Sequence, residues 1–375
     1  MLAEITKESL LNALQYVSRA ASANHPIPLL SGIHLQVAAD GFILRSNNTS
    51  LSVEYRIPLH STGMNVRRTG SIVVPARYFN EMIRKLQPGM MTLETAEPFI
   101  LSIRSGASQC RLCGMDAADF PSMNRLDEAA DDKLRMNNGV LKSIIKQVAV
   151  AASASESRPV LTGVWFAQGE ASLQFVATDG IRLASRTLPS ARRAVPRSPV
   201  TVPSRNLYEI SKMLNDEEGT VEIEVNGRQM RISTGELRIQ SALLEGAYPS
   251  VHHLIPRSYL SEVTVETARL VQAAERVAVF TSESIVRLEA IGERLVFTSR
   301  TAEIGEVQDE VPVRESNGEP FTLSLNGKYL VEILRCLEGE RVTLRYSGQR
   351  SPLVILPAAD PSSALYLITP VRTAN

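Results

Sequence analysis

Val202-Pro203-Ser204-Arg205-Asn206-Leu207 has two counterparts in the chain, Val74-Pro75-Ala76-Arg77-Tyr78-Phe79 and Leu325-Asn326-Gly327-Lys328-Tyr329-Leu330. Aligned on Pro75, Pro203 and Asn326, each copy carries a base two residues on (Arg77, Arg205, Lys328) and an acid six on (Glu81, Glu209, Glu332). An apolar residue follows at seven (Met82, Ile210, Ile333), a second base at nine (Arg84, Lys212, Arg335) and Leu at eleven (Leu86, Leu214, Leu337). The anchors lie 128 and 123 residues apart. Pro in a first helical turn and Asn at a cap both start helices, so the pattern predicts one helix written three times.

Upstream of each copy a second helix is predicted. Its apolar positions are Leu10, Ala13, Leu14 and Val17, then Leu141, Ile144, Ile145 and Val148, then Leu270, Ala273, Ala274 and Val277. Each set follows the i, i+3, i+4, i+7 stripe of an amphipathic helix. Between and after the helices lie β-rich segments, among them Gly163–Phe166, Leu173–Ala177, Arg287–Ile291 and Arg294–Thr298. Thr220–Val225 and Gln229–Ser233 flank Asn226-Gly227 as a hairpin. The expected fold is α+β, three repeated domains over 1–127, 128–256 and 257–375, each with two helices packed on antiparallel sheets of about eight strands. The joins are placed in the acidic stretch Leu126–Asp132 and at Ile255–Tyr259, which contains Pro256.

The chain has 375 residues, with 40 Lys and Arg against 40 Asp and Glu. Zero net charge excludes a polycation that coats nucleic acid by bulk attraction. With 5% aromatic residues, a stacking platform for single strands is not expected. Charge is nonetheless segregated. The six helical segments hold thirteen bases and six acids, a net +7, which leaves −7 elsewhere. Bases at Arg77, Arg84, Arg205, Lys212, Lys328 and Arg335 return in register, joined by Lys142 and Lys146. A mildly basic helical surface suits duplex phosphates and does not read base edges.

Catalytic and metal motifs are not found. Cys110-Arg111-Leu112-Cys113 is a C-x-x-C with no second pair, set in a strand-like segment, and Cys336 stands alone in a predicted helix. The five histidines, His25, His34, His60, His252 and His253, lack ligand spacing. Asn326-Gly327-Lys328 has Thr322 where a phosphate loop requires Gly. Asp179-Gly180 reads as a turn. No cofactor, metal or enzymatic activity is expected. No apolar run reaches the ~18–20 residues of a membrane span. Met1–Leu10, charged at Glu4, Lys7 and Glu8, is unlike a secretion signal; a cytoplasmic protein is predicted.

Ser157-Arg158-Pro159-Val160-Leu161-Thr162-Gly163 and Ala177-Thr178-Asp179-Gly180-Ile181-Arg182-Leu183-Ala184 resemble the bacterial sliding clamp family, the β subunit of DNA polymerase III. Pro26-Ile27-Pro28-Leu29-Leu30, Leu244-Glu245-Gly246-Ala247-Tyr248-Pro249 and the run Tyr366-Leu367-Ile368-Thr369-Pro370-Val371-Arg372 carry the same resemblance. It implies a ring, formed as a head-to-tail homodimer of three-domain chains, that encircles duplex DNA irrespective of sequence. Such a processivity factor tethers the replicative polymerase. A specialised or mobile-element paralogue serving different partners is the second reading.

The resemblance also implies sites. Arg158 matches a basic loop position used against DNA, whereas Asn24-His25 stand where a base is frequent. A groove for short peptides of polymerases, clamp loader and repair proteins would be built from Leu161, Thr178, Gly180, Arg182, Leu183, Pro249 and Leu254. Asn326, Tyr329, Pro352, Leu367, Ile368, Pro370, Val371 and Arg372 would complete it. Ile181 replaces a frequent His, which predicts altered peptide preference. At the subunit seam Val279 and Phe280, with Glu303 and Glu306, would face Arg104, Cys110, Arg111 and Leu112. Cys110 is smaller than the usual aromatic residue, so a seam weaker by roughly 1–2 kcal/mol is expected.

Overall fold

The computed structural model describes residues 1–22, 24–59, 64–123, 133–190, 198–215, 218–279, 285–301 and 305–372. The first module runs β1 (Leu2–Thr6), α1 (Lys7–Val17), β2 (Gly32–Ala38), β3 (Gly41–Asn47), β4 (Leu51–Pro58), β5 (Asn65–Arg68) and β6 (Gly70–Pro75). It continues with α2 (Ala76–Lys85), β7 (Met90–Glu97), β8 (Ile100–Ser105) and β9 (Ser108–Cys113). The second runs β10 (Leu134–Asn137), α3 (Asn138–Val148), β11 (Gly163–Gln168), β12 (Ser172–Thr178), β13 (Arg182–Pro189) and β14 (Val200–Pro203). Then come α4 (Ser204–Met213), β15 (Thr220–Asn226), β16 (Gln229–Thr234) and β17 (Leu237–Ala242). The third runs β18 (Ser261–Glu266), α5 (Thr267–Ala278), β19 (Ile285–Ile291), β20 (Arg294–Thr301), β21 (Gly305–Gly318) and β22 (Phe321–Asn326). It ends with α6 (Gly327–Leu334), β23 (Arg341–Tyr346), β24 (Leu353–Pro357) and β25 (Ala364–Ile368).

The repeat is written into the backbone hydrogen bonds. The first helix of each module donates from one equivalent position: Lys7 N–H to Gly89 O (2.9 Å), Asn138 N–H to Gly219 O (2.8 Å), Thr267 N–H to Glu340 O (2.9 Å). Each module's tail also returns to the strand before its second helix: Met115 N–H to Val73 O (2.8 Å), Leu244 N–H to Thr201 O (2.8 Å), Val371 N–H to Ser324 O (2.7 Å). All twelve apolar stripe positions of α1, α3 and α5 are buried, as their spacing predicts. Gly32 and Gly163 open β2 and β11 at equivalent sites. A Cβ on Gly163 would lie 2.6 Å from Val202 O, and one on Gly32 2.4 Å from Val73 Cγ1, so neither position admits a side chain.

Three local expectations are corrected. Pro75 and Pro203 close β6 and β14, and the helices begin one residue later, because fixed φ also suits the strand-end residue that leads directly into a helix. Asn226 pairs with Gln229, so the hairpin loop is Gly227-Arg228, with the positive φ carried by Gly227. Cys336 lies just beyond the end of α6, not within it.

The chain divides into two compact units, 1–140 with 212–243 and 141–211 with 244–375. Strand pairing cuts across the modules, which is why two units arise from three repeats. In the first unit β17 pairs with β4, giving an eight-stranded sheet ordered β10-β15-β16-β17-β4-β3-β2-β6; a five-stranded sheet is ordered β5-β1-β7-β8-β9. In the second unit β13 pairs with β25 within a twelve-stranded sheet. Among the described residues β9 ends the five-stranded sheet with only β8 beside it, and the N-terminal half of β21 has β20 on one side only.

Candidate nucleic-acid interface and peptide-binding site

The in-register bases are mostly at the surface. Arg77, Arg84, Lys146, Arg158, Arg205, Lys328 and Arg335 are exposed, while Lys142 and Lys212 are half-buried. Arg77 pairs with Glu81 at 3.5 Å and Arg335 with Glu275 at 2.6 Å, pairs that moderate the positive surface without cancelling it. Lys7 is diverted: its ammonium donates to Arg84 O at 2.9 Å and to Leu86 O, capping the end of α2. Arg158 precedes the short turn Pro159–Thr162, where Leu161 N–H donates to Arg158 O at 2.9 Å.

The residues expected to form a peptide groove meet within the second unit, where β13 pairs with β25. Leu183 sits opposite Leu367, and Arg182 opposite Ile368. Leu183 and Leu367 are buried side by side on one sheet face, whereas Ile368, expected beside them, is buried on the opposite face with Arg182 because strand neighbours alternate. Leu161 is also buried, while Leu254 (41% exposed), Pro249 and Gly180 remain at the surface. Tyr329, Pro352, Pro370 and Val371 are part-exposed and Arg372 is exposed. The turn before β13 is held by side chains. Asp179 Oδ1 accepts the N–H groups of Ile181 and Arg182 at 2.9 Å each, and Thr178 Oγ1 donates to Arg182 O at 2.6 Å and accepts from Gly180 N–H at 3.1 Å. Ile181 is left 47% exposed at its apex.

Arg182, expected among the groove residues, is committed to partners within its own chain. It is 8% exposed, with Nε 3.0 Å from Asp179 Oδ2, Nη1 2.5 Å from Glu332 Oε2 and its guanidinium 4.2 Å from the Tyr329 ring centroid. Two carboxylates and a ring face are what a desolvated guanidinium requires. Asn326 is similarly committed: its Oδ1 accepts Tyr329 N–H at 3.1 Å and caps α6. Thr178 N–H donates to Tyr248 Oη at 2.9 Å, and burial pushes the Tyr248 phenol up to about 12. Glu332 and Tyr248 join the site although sequence reasoning did not place them there. The signal for Glu332 is its place at the repeated acid position.

At the unpaired edges, Cys110 and Leu112 on β9 are half-buried. Arg104 and Arg111 are exposed and pair within their own sheet, with Glu94 and Glu97 at 2.5 Å each. Val279, at the end of α5, is 79% exposed, a strong departure for an aliphatic residue. Glu306 is exposed near the start of β21. Phe280 and Glu303 lie outside the described residues, as do His60 and the join at 126–132. Among the described residues no His, Cys, Asp and Glu cluster is placed to hold a metal, and no helix is long and apolar enough to cross a membrane.

Comparison with known proteins gives one answer along the whole chain. Residues 1–124, 135–250 and 252–372 match the N-terminal, central and C-terminal domains of the DNA polymerase III beta subunit. The Beta sliding clamp of Halalkalibacterium halodurans is 32% identical, over 98% of this chain and 99% of that protein. The crystal structure of the DNA polymerase sliding clamp from Bacillus subtilis superposes with a TM-score of 0.94 at 31% identity and covers both chains completely. A Pseudomonas aeruginosa sliding clamp bound to griselimycin has a TM-score of 0.90 at 26% identity, again over both whole chains. The chain belongs to the DNA polymerase III beta subunit family, and it is built from the family's three clamp domains.

Proposed function

We propose that two copies of this chain close head-to-tail into a ring around duplex DNA and hold the replicative polymerase there. The observation that carries this reading is the repetition of one junction. β4 with β17, and β13 with β25, are equivalent antiparallel pairs, and the corresponding strands at the chain's two ends, β21 and β9, have unpaired edges. A head-to-tail partner supplies the third copy of that junction at each end and removes both edges. Val279 and Cys110–Leu112 would then be buried in the seam, with Glu306 and Arg104 or Arg111 of opposite copies close enough to exchange partners.

In this reading the mildly basic helices face phosphates and grip none of them firmly. Arg84, Lys146, Arg158, Arg205 and Lys328 supply sequence-independent attraction, and ring closure supplies retention. Polymerase, clamp loader and repair proteins dock short peptides over Leu183 and Leu367, between Tyr329 and Leu254. The chain acts as a cytoplasmic tether and not as a catalyst, in three modules divided near residues 127 and 256. Primer extension by a replicative polymerase on singly primed circular DNA tests this. The chain, once loaded, should lengthen the products made per binding event, and products of unchanged length would contradict the reading.

A further inference from the structure

Strand registers make the two junctions comparable position by position, and they expose a chemical difference. At the second junction one sheet face carries Trp165, Val176, Leu183, Val354, Leu365 and Leu367, a continuous apolar cluster under Tyr248, Val251 and Tyr259. Through equivalent pairings, the same six positions at the first junction are His34, Arg45, Ser52, Arg231, Arg238 and Gln240. Every apolar residue has become polar or charged. The cross-strand pair Leu183–Leu367 becomes Ser52–Gln240, and Arg182, the buried strut, becomes Leu51.

The polar set is partly satisfied from within, although Gln240 Oε1 is buried with no hydrogen-bond partner. Glu54 accepts from Arg45 Nε at 2.5 Å and lies 3.5 Å from Arg238 Nη1, while Arg45 Nη1 donates to Gln36 Oε1 at 2.8 Å. Asn47 Nδ2 donates to Ser52 Oγ at 2.7 Å, and Phe120 stacks on His34 with ring centroids 5.2 Å apart. An apolar anchor laid on this face would bury no apolar floor and would strip water from charged groups.

Resting on the proposed peptide-binding reading, we infer that these exchanged positions confine partner peptides to one junction per chain. Positions 52 and 240 are the determinants, because they replace the floor pair itself. The first junction is a polar strut, closed to apolar peptides by chemistry although its fold is the same.

The test is calorimetric titration of the full chain with a labelled hexapeptide carrying Leu and Phe anchors. The wild-type chain should bind one peptide per chain, and two would overturn the inference. Leu183→Ser with Leu367→Gln should remove all binding; residual binding in the folded variant would place a peptide at the first junction and overturn it. Ser52→Leu with Gln240→Leu should add a second, weaker equivalent, and a folded variant that still binds one peptide would show that these positions are not the determinants. No binding to the wild-type chain would instead count against the peptide groove itself, and the inference would fall with it.

Discussion

Arg182 shows how much a single side chain carries in this protein. Its charge is balanced by Asp179 and Glu332, and Glu332 comes from α6, so one ion pair ties the turn before β13 to the third module's second helix. Glu332→Ala should cost about 1–2 kcal/mol of stability, since a partly exposed pair is worth less than a fully buried one. It should also weaken peptide binding several-fold through the loosened Tyr329, with fluorescence anisotropy as the check. His34 offers a pH test. Burial, and secondarily Arg45, push its imidazole down from 6.5 to about 4. The unfolded chain therefore takes up a proton in that window while the folded chain resists it. This contribution is complete above about pH 6.5 and is lost as pH falls toward 4. From pH 7 to pH 5 the wild type should lose about 2 kcal/mol more than His34→Gln in urea titrations. Equal losses would contradict the assignment.

At the scale of elements, the helices were the most legible part. Periodic burial of α1, α3 and α5 follows from spacing alone, and the repeated acid and base positions marked the second helix of each module. Reversing Arg84, Lys146 and Arg205 to Glu should lower DNA loading without altering the circular dichroism spectrum. The salt dependence of binding should also fall, by roughly 0.9 in log–log slope for each phosphate no longer neutralised. What could not be read was contextual. Asn226-Gly227 marks a hairpin, yet register places the loop one residue on. Leu183, Leu367, Ser52 and Gln240 look alike as strand residues until pairing shows that they occupy matched positions. The burial of Arg182 is not legible in sequence, because Glu332, one of its two carboxylate partners, lies 150 residues away.

At the scale of the whole molecule, near-zero net charge and DNA retention are reconciled by topology, which lets each phosphate interaction remain weak. The seam should be correspondingly tunable. Cys110 is half-buried on an edge strand, and Cys110→Phe should add apolar area there and tighten the dimer by about tenfold. Sedimentation velocity across a dilution series reads this directly, and an unchanged midpoint would remove Cys110 from the seam. Retention in this account is by enclosure and not by grip. The most direct measurement loads the chain onto nicked circular DNA, isolates the complex and cuts the circle once. Enclosure predicts persistence on the circle and loss within minutes of linearisation, with retention restored when both ends are blocked; a chain that stays bound to DNA with free ends would contradict it.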